Sequence, residues 1–164
     1  MATNAILYRM PFGIPGDVTR QSQSTIEPQL FDPATPFTAY GLFGKVVGGR
    51  FVPIGAGDTA DDVYGLLVRP FPTQSASTAM GIAIPPANGP ADVLRRGYGA
   101  VKLHGSAPAA LNGQVYLRVA SGTASQPIGG VEAAADSTNT IAVPNGVFMS
   151  AADADGNVEI SFKV

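Results

Sequence analysis

The 164-residue chain contains no cysteine, no tryptophan and a single histidine. Without cysteine it has no disulfide scaffold, no thiolate zinc site and no cysteine nucleophile. That absence also fits maturation in a reducing cytosol. One imidazole leaves no multi-histidine metal site. Charge is scarce as well, at 13% of residues, about half the usual ~25%. The net charge is −2 and the Lys and Arg residues are dispersed, so there is no electrostatic footprint for nucleic acid. Apolar runs fall far short of the roughly 18 residues that cross a membrane as a helix. The opening stretch, MATNAILYRMPFG, lacks the basic and continuous apolar regions of a secretory signal. Neither a nucleic acid nor a membrane is therefore expected as a partner.

What the chain has in quantity is glycine and proline, 20 and 14 residues, on a background that is 45% hydrophobic. That much apolar material excludes a disordered chain and suits one domain with a real core, residues 1–164. Gly and Pro at this density exclude long helices, in which they cost about 1 and 3 kcal/mol relative to Ala. No G-X-Y period exists, which excludes collagen.

The first 36 residues read as an extended arm. Between Arg9 and Pro36 lie Pro11, Pro15, Pro28, Pro33 and Pro36 with no apolar periodicity, and each proline favours extended geometry before it. Phe12, Ile14, Leu30 and Phe31 are its candidate anchors. From residue 37 to 164 short β-type runs alternate with turn residues. Tyr40–Val47 and Phe51–Ile54 flank Gly48-Gly49, a two-residue hairpin signal. Val63–Arg69, Thr78–Ile84, Tyr98–His104 and Gln114–Ala120 read as further strands. At the C-terminus Val147–Ala151 leads through ADADGN into Val158, Ile160, Phe162 and Val164, alternating with polar Glu159, Ser161 and Lys163. That is a terminal hairpin with one half-buried strand. The one helical candidate, Pro90–Arg96, is interrupted by Gly97 and Gly99, and VEAAAD at 131–136 is too short to count. The expected fold class is all-β: a single sandwich or barrel-like domain of short antiparallel strands carrying an extended Pro/Gly-rich N-terminal arm.

Candidate chemistry is thin. His104 has Ser106 close in sequence but no G-x-S-x-G motif, and the strand alternation gives it a solvated face, so a catalytic triad is not supported. Asp153, Asp155 and Glu159 match only part of a calcium loop and suit a hairpin turn better, with Glu159 pointing outward. Gly55, Gly57, Asp58, Asp61 and Asp62 form a Gly-rich loop without the Lys and Ser/Thr of a phosphate cradle, best suited to a polar connection between strands, with metal binding by its three carboxylates as the minor alternative. Arg95-Arg96 is the only basic pair, suited to a salt bridge or an interface contact. These readings point to no enzyme, no cofactor and no metal.

Five blocks in order, YRMPFGIPGDVTR, TIEPQLFDPATPFTAYG, PIGAGDTADDVYGLLVRPFP, DVLRRGYGAVKL and ADADGNVEISF, span nearly the whole chain. Together they resemble the cement (decoration) proteins of tailed-phage heads, the Gp24-like structural cement family. The resemblance implies a virion protein, made in the host bacterial cytoplasm, that binds the outer surface of the head and stabilises contacts between major capsid protein subunits. It implies no catalytic residues. On this reading the candidate partner-binding residues are Arg9, Pro11, Phe12, Ile14, Pro15 and Asp17, followed by Arg20, Leu30, Phe31, Arg95 and Arg96. Self-association is expected, a trimer in preference to a dimer, because capsid axes impose closed symmetry. The alternative is a receptor- or glycan-binding β module of a phage tail or surface structure. With no Trp and five Tyr, the chain is poorly supplied for such stacking sites.

Overall fold

A computed structural model describes residues 13–70 and 84–164. Its nine strands are β1 (Thr25–Leu30), β2 (Phe43–Val47), β3 (Arg50–Pro53), β4 (Gly65–Leu67), β5 (Pro90–His104), β6 (Gln114–Arg118), β7 (Val131–Glu132), β8 (Thr140–Phe148) and β9 (Asn157–Lys163). The all-β expectation holds, and of its two forms the barrel is realised.

The organising element is β5, 15 residues long. Its second half pairs antiparallel with β9, from Arg96↔Lys163 to Lys102↔Asn157. β9 then pairs with β8, β8 with β6 and β6 with β7. β7 returns to β5 in parallel through Leu103↔Val131 and His104↔Glu132, which closes a five-strand barrel. Closure leaves these strands no open edge. The interior is filled by Val101, Val115, Leu117, Phe148, Val158 and Ile160, all fully buried.

The first half of β5 serves a second, aromatic core. β1 lies along one edge and β4 along the other, and β4 continues into β2 and β3. A single bridge, Phe31↔Phe51, links the end of β1 back to β3. Phe31, Phe37, Phe51, Leu67 and Val93 are buried inside this ring. Phe37 stacks on Phe51 with centroids 4.8 Å apart and meets Phe31 edge-on at 6.0 Å. Both Leu94 and Val101 enter the barrel core although seven positions separate them, whereas residues an odd number apart in a regular strand face opposite ways. The phase changes near Gly97, where φ is +133° and an added Cβ would lie 2.8 Å from Ser24 Cα. Only glycine tolerates both conditions.

Local signals read correctly include the hairpin at Gly48 and Gly49, whose φ values of 57° and 76° suit a two-residue turn. The β8–β9 hairpin is held by Asp153 Oδ1, which accepts from the Asp155 and Asn157 amides. Asp153 and Asp155 thus build a turn. Other expectations need correction. Pro90–Arg96 is strand throughout, and the dismissed stretch at 131–136 contains β7, the piece that closes the barrel. Within the expected arm, residues 13–36 are laid against the barrel. The Gly16 amide donates to the Ala100 carbonyl at 2.9 Å, Ala100 N to Asp17 O at 2.8 Å, and Thr19 N to Tyr98 O at 3.1 Å. β1 then continues along the same edge of β5. Of the remaining expected strand Thr78–Ile84, residues 78–83 lie outside the described residues.

Candidate functional site

Three features on the outside of the fold concentrate charge or exposed apolar surface. The first is centred on Arg118. Alternation along β6 sends Val115, Leu117 and Val119 inward and Arg118 to the outer face, where solvent is expected. The excursion from 119 to 136 folds over it instead, leaving Arg118 3% exposed. Its guanidinium makes a bidentate pair with Glu132, Nε to Oε1 at 2.5 Å and Nη2 to Oε2 at 3.0 Å. Nη2 also donates to Asp136 Oδ2 at 2.9 Å, and Gln126 Nε2 donates to Glu132 Oε2 at 3.2 Å. These charge-assisted bonds raise the affinity of Arg118 for its proton and hold the Asp136 carboxyl below the usual range. A cleft of about 230 Å³ lies beside them, lined also by His104 and Ser106. His104 is half-buried, and burial lowers its pKa. Its Nδ1 lies 2.9 Å from the Ser125 carbonyl. No bond joins His104 to Ser106 among the described residues, so the pair does not assemble as nucleophile and base.

The second feature is the outer wall of β5 and β9. Glu159, expected to project freely, is covered by the N-terminal segment and is 8% exposed. Thr19 Oγ1 donates to it at 2.6 Å, and Arg20 donates through Nε at 3.2 Å and Nη2 at 2.9 Å. The same guanidinium lies 4.0 Å over the Tyr98 ring. Arg96 and Lys163 sit opposite one another just beyond it, both exposed.

The third is β1, which leaves apolar side chains exposed. Ile26 and Leu30 face outward at 43% and 51% exposure. Glu27 and Gln29 lie on the opposite face, both bonded to the Tyr64 hydroxyl, which donates to Glu27 Oε2 at 2.5 Å and accepts from Gln29 Nε2 at 2.7 Å, and the Glu27 side chain stays 45% exposed.

The expected contact residues therefore separate. Arg20 and Arg96 come onto one wall and Leu30 onto the exposed face of β1. Phe31, 2% exposed, belongs to the aromatic core of this chain, so its anchoring is internal. Arg95 also turns inward: it stacks on Tyr64 at 3.9 Å, donates to the Tyr64 carbonyl and lies 3.7 Å from Glu27. Asp17 accepts from the Ile14 amide at 3.1 Å and closes a local turn. Pro15 lines a cleft with Tyr40 and Arg69. Arg9, Pro11 and Phe12 lie outside the described residues. In the Gly-rich loop Asp58 is held by Lys45 at 2.6 Å and Asp62 caps Thr59, so its aspartates do not converge. Among the described residues no three His, Cys, Asp or Glu side chains group as metal ligands.

An outer surface with paired charges and exposed strand residues suits contact with other proteins, and the comparisons accord with it. Residues 3–162 match the family described as XM1 gp53 minor capsid protein. The chain belongs to that family. A chain in the solved capsid of the Myoviridae phage XM1 shares the fold of this minor capsid protein, with a TM-score of 0.68 at 17% identity, covering 99% of this chain and 97% of that one. No curated protein matches it. The protein is thus a structural component of a phage virion, associated with other capsid components. The phage-capsid part of the resemblance in the sequence stands, and the family is the minor capsid family.

Sequence reasoning missed Arg118 and Glu132. The available signal was an arginine on an alternating strand followed 14 residues later by a glutamate, and only the fold of the intervening loop brings them together.

Proposed function

We propose that this minor capsid protein is a cement, or decoration, subunit. In this reading it binds the outer surface of the head and holds adjacent major capsid protein subunits together, itself associating as a trimer or, failing that, a dimer. The observation that carries the reading is the exposed apolar face of β1. A strand that leaves Ile26 and Leu30 exposed on one face while Glu27 and Gln29 bond Tyr64 on the other is patterned for a partner on its outer face. Closed symmetry around a capsid axis makes weak single contacts multivalent.

The test uses Ile26→Ser/Leu30→Ser. Full burial of such side chains contributes about 1.5–3 kcal/mol each, and each is already about half buried. Covering the remainder contributes about 1 kcal/mol apiece, so the double variant binds undecorated heads roughly 10–30-fold more weakly. Losing the halves already buried in the fold costs about 1 kcal/mol apiece, so its melting temperature falls by roughly 4–8 °C and the variant remains folded at the binding temperature. Affinity within twofold of the parent contradicts the reading. Deleting residues 1–36 is a poor substitute, because it also removes β1 and Phe31 from the fold.

A further inference from the structure

On the outer wall, Arg96 of β5 and Lys163 of β9 are directly opposed in antiparallel register. Both are exposed. Like charges placed opposite one another across a sheet destabilise it, so the free protein gains nothing from this pair. The ion pairs among the described residues engage Arg20, Lys45, Arg95 and Arg118. No described carboxylate lies within ion-pair distance of Arg96 or Lys163. Their neighbours in the same row are uncharged. Thr25 sits beside Arg96 on β1, and Asn145 donates to the Lys163 carbonyl at 3.4 Å. Two positions along, Tyr98 opposes Ser161, and the Arg20 charge above it is already met by Glu159. The result is a spot with two unmet positive charges on a chain whose net charge is −2.

We infer that Arg96 and Lys163 together receive a carboxylate from the capsid subunit on which this protein docks, an Asp or Glu on an otherwise uncharged strand or loop. The inference rests on the decoration reading and adds to it a specific contact. Opposed Cβ atoms in a sheet are about 5 Å apart, so both side chains reach one carboxylate. The arginine fork can hold it bidentately and the ammonium completes the charge. Docking then replaces a cross-strand repulsion with two attractions, which makes the spot selective for an acidic partner. Nucleic acid fits less well, because affinity for it comes from many phosphate contacts and this wall offers Arg96 and Lys163 beside one further lysine, Lys102, whose ammonium is engaged by the Asp155 carbonyl.

The experiment measures binding of the full chain to undecorated heads for the parent, Arg96→Glu, Lys163→Glu and the double variant. Thermal unfolding runs alongside, and a duplex DNA fragment serves as a second ligand. The single variants are expected to bind at least tenfold more weakly, the double variant more weakly still, and parental binding to fall with salt. Unfolding temperatures of the single variants hold or rise, because each replaces a repulsion with an attraction across the strands. If the parent binds and both single variants bind within twofold of it, this inference is overturned and the decoration reading stands. If the parent itself does not bind heads, both fail. Parental binding to DNA that Arg96→Glu abolishes, with head binding unchanged, also overturns the inference.

Discussion

Replacing Arg118 with methionine removes the centre of the buried charge cluster with Glu132 and Asp136 while keeping most of the side-chain volume. The Arg118 and Glu132 side chains are 4% and 6% exposed, so solvent screens their pairing little. Breaking a buried ion pair from one side costs about 3–5 kcal/mol, chiefly because the remaining charge stays buried and unpaired. Glu132 keeps the Gln126 bond and adjoins a cleft, which places the expected cost near the lower end, about 3 kcal/mol. For a domain of this size that corresponds to a fall of roughly 6–12 °C in melting temperature. Urea titration gives the value directly, as a lower midpoint at unchanged slope. The double variant Arg118→Met/Glu132→Met should recover most of the loss, because replacing a buried pair with apolar residues of similar size is often neutral or stabilising. A cost below about 1 kcal/mol for Arg118→Met would refute the claim that the 119–136 loop hangs on this pair. So would a double variant no better than the single.

Three further outcomes follow from the geometry. Phe51→Ala, at a fully buried ring stacked on Phe37, is expected to cost about 3–5 kcal/mol by chemical denaturation. Gly97→Ala forces a side chain into positive φ and against Ser24, and should cost about 2–4 kcal/mol with a loss of β1–β5 amide protection in hydrogen exchange. His104 should titrate by NMR below its ordinary 6.5, since burial disfavours the imidazolium. A folded pKa below the unfolded one means that stability is full above about pH 6.5 and declines as the pH falls toward the depressed value. His104→Gln flattens that decline, and a midpoint above 6.5 contradicts the assignment.

How much of this was legible depended on the range of the interaction. The Gly48-Gly49 hairpin and the alternation of Val158, Ile160 and Phe162 are local patterns, and both stand in the fold, although Glu159 between Val158 and Ile160 is covered. β1 was read as part of an arm because it lies in a proline-punctuated stretch, with Pro28 inside it, and shows no apolar periodicity. Its pairing with β5 spans some sixty residues, and its apolar side is the exposed one. Phe31 was recognised as an anchor, but the core it enters is its own, assembled from Phe37, Phe51 and Val93. β7 has two residues, too few to show any period, and its role comes from where it closes the ring. The burial of Arg118 and Glu159 follows from distant segments folding over strand faces that alternation alone assigns to solvent. Of the contact candidates, Arg20, Arg96 and Leu30 lie on the outer surface, whereas Lys163, which the register sets opposite Arg96, drew no notice in a terminal strand.

The most direct test of the central claim is a titration of purified protein onto heads assembled without it, followed by imaging and heating of the decorated particles. A decoration subunit saturates at a fixed ratio to the major capsid protein, adds density on the outer surface, and gives heads that rupture at a higher temperature. Absence of saturable binding, or density confined to the inside of the shell, would contradict that claim.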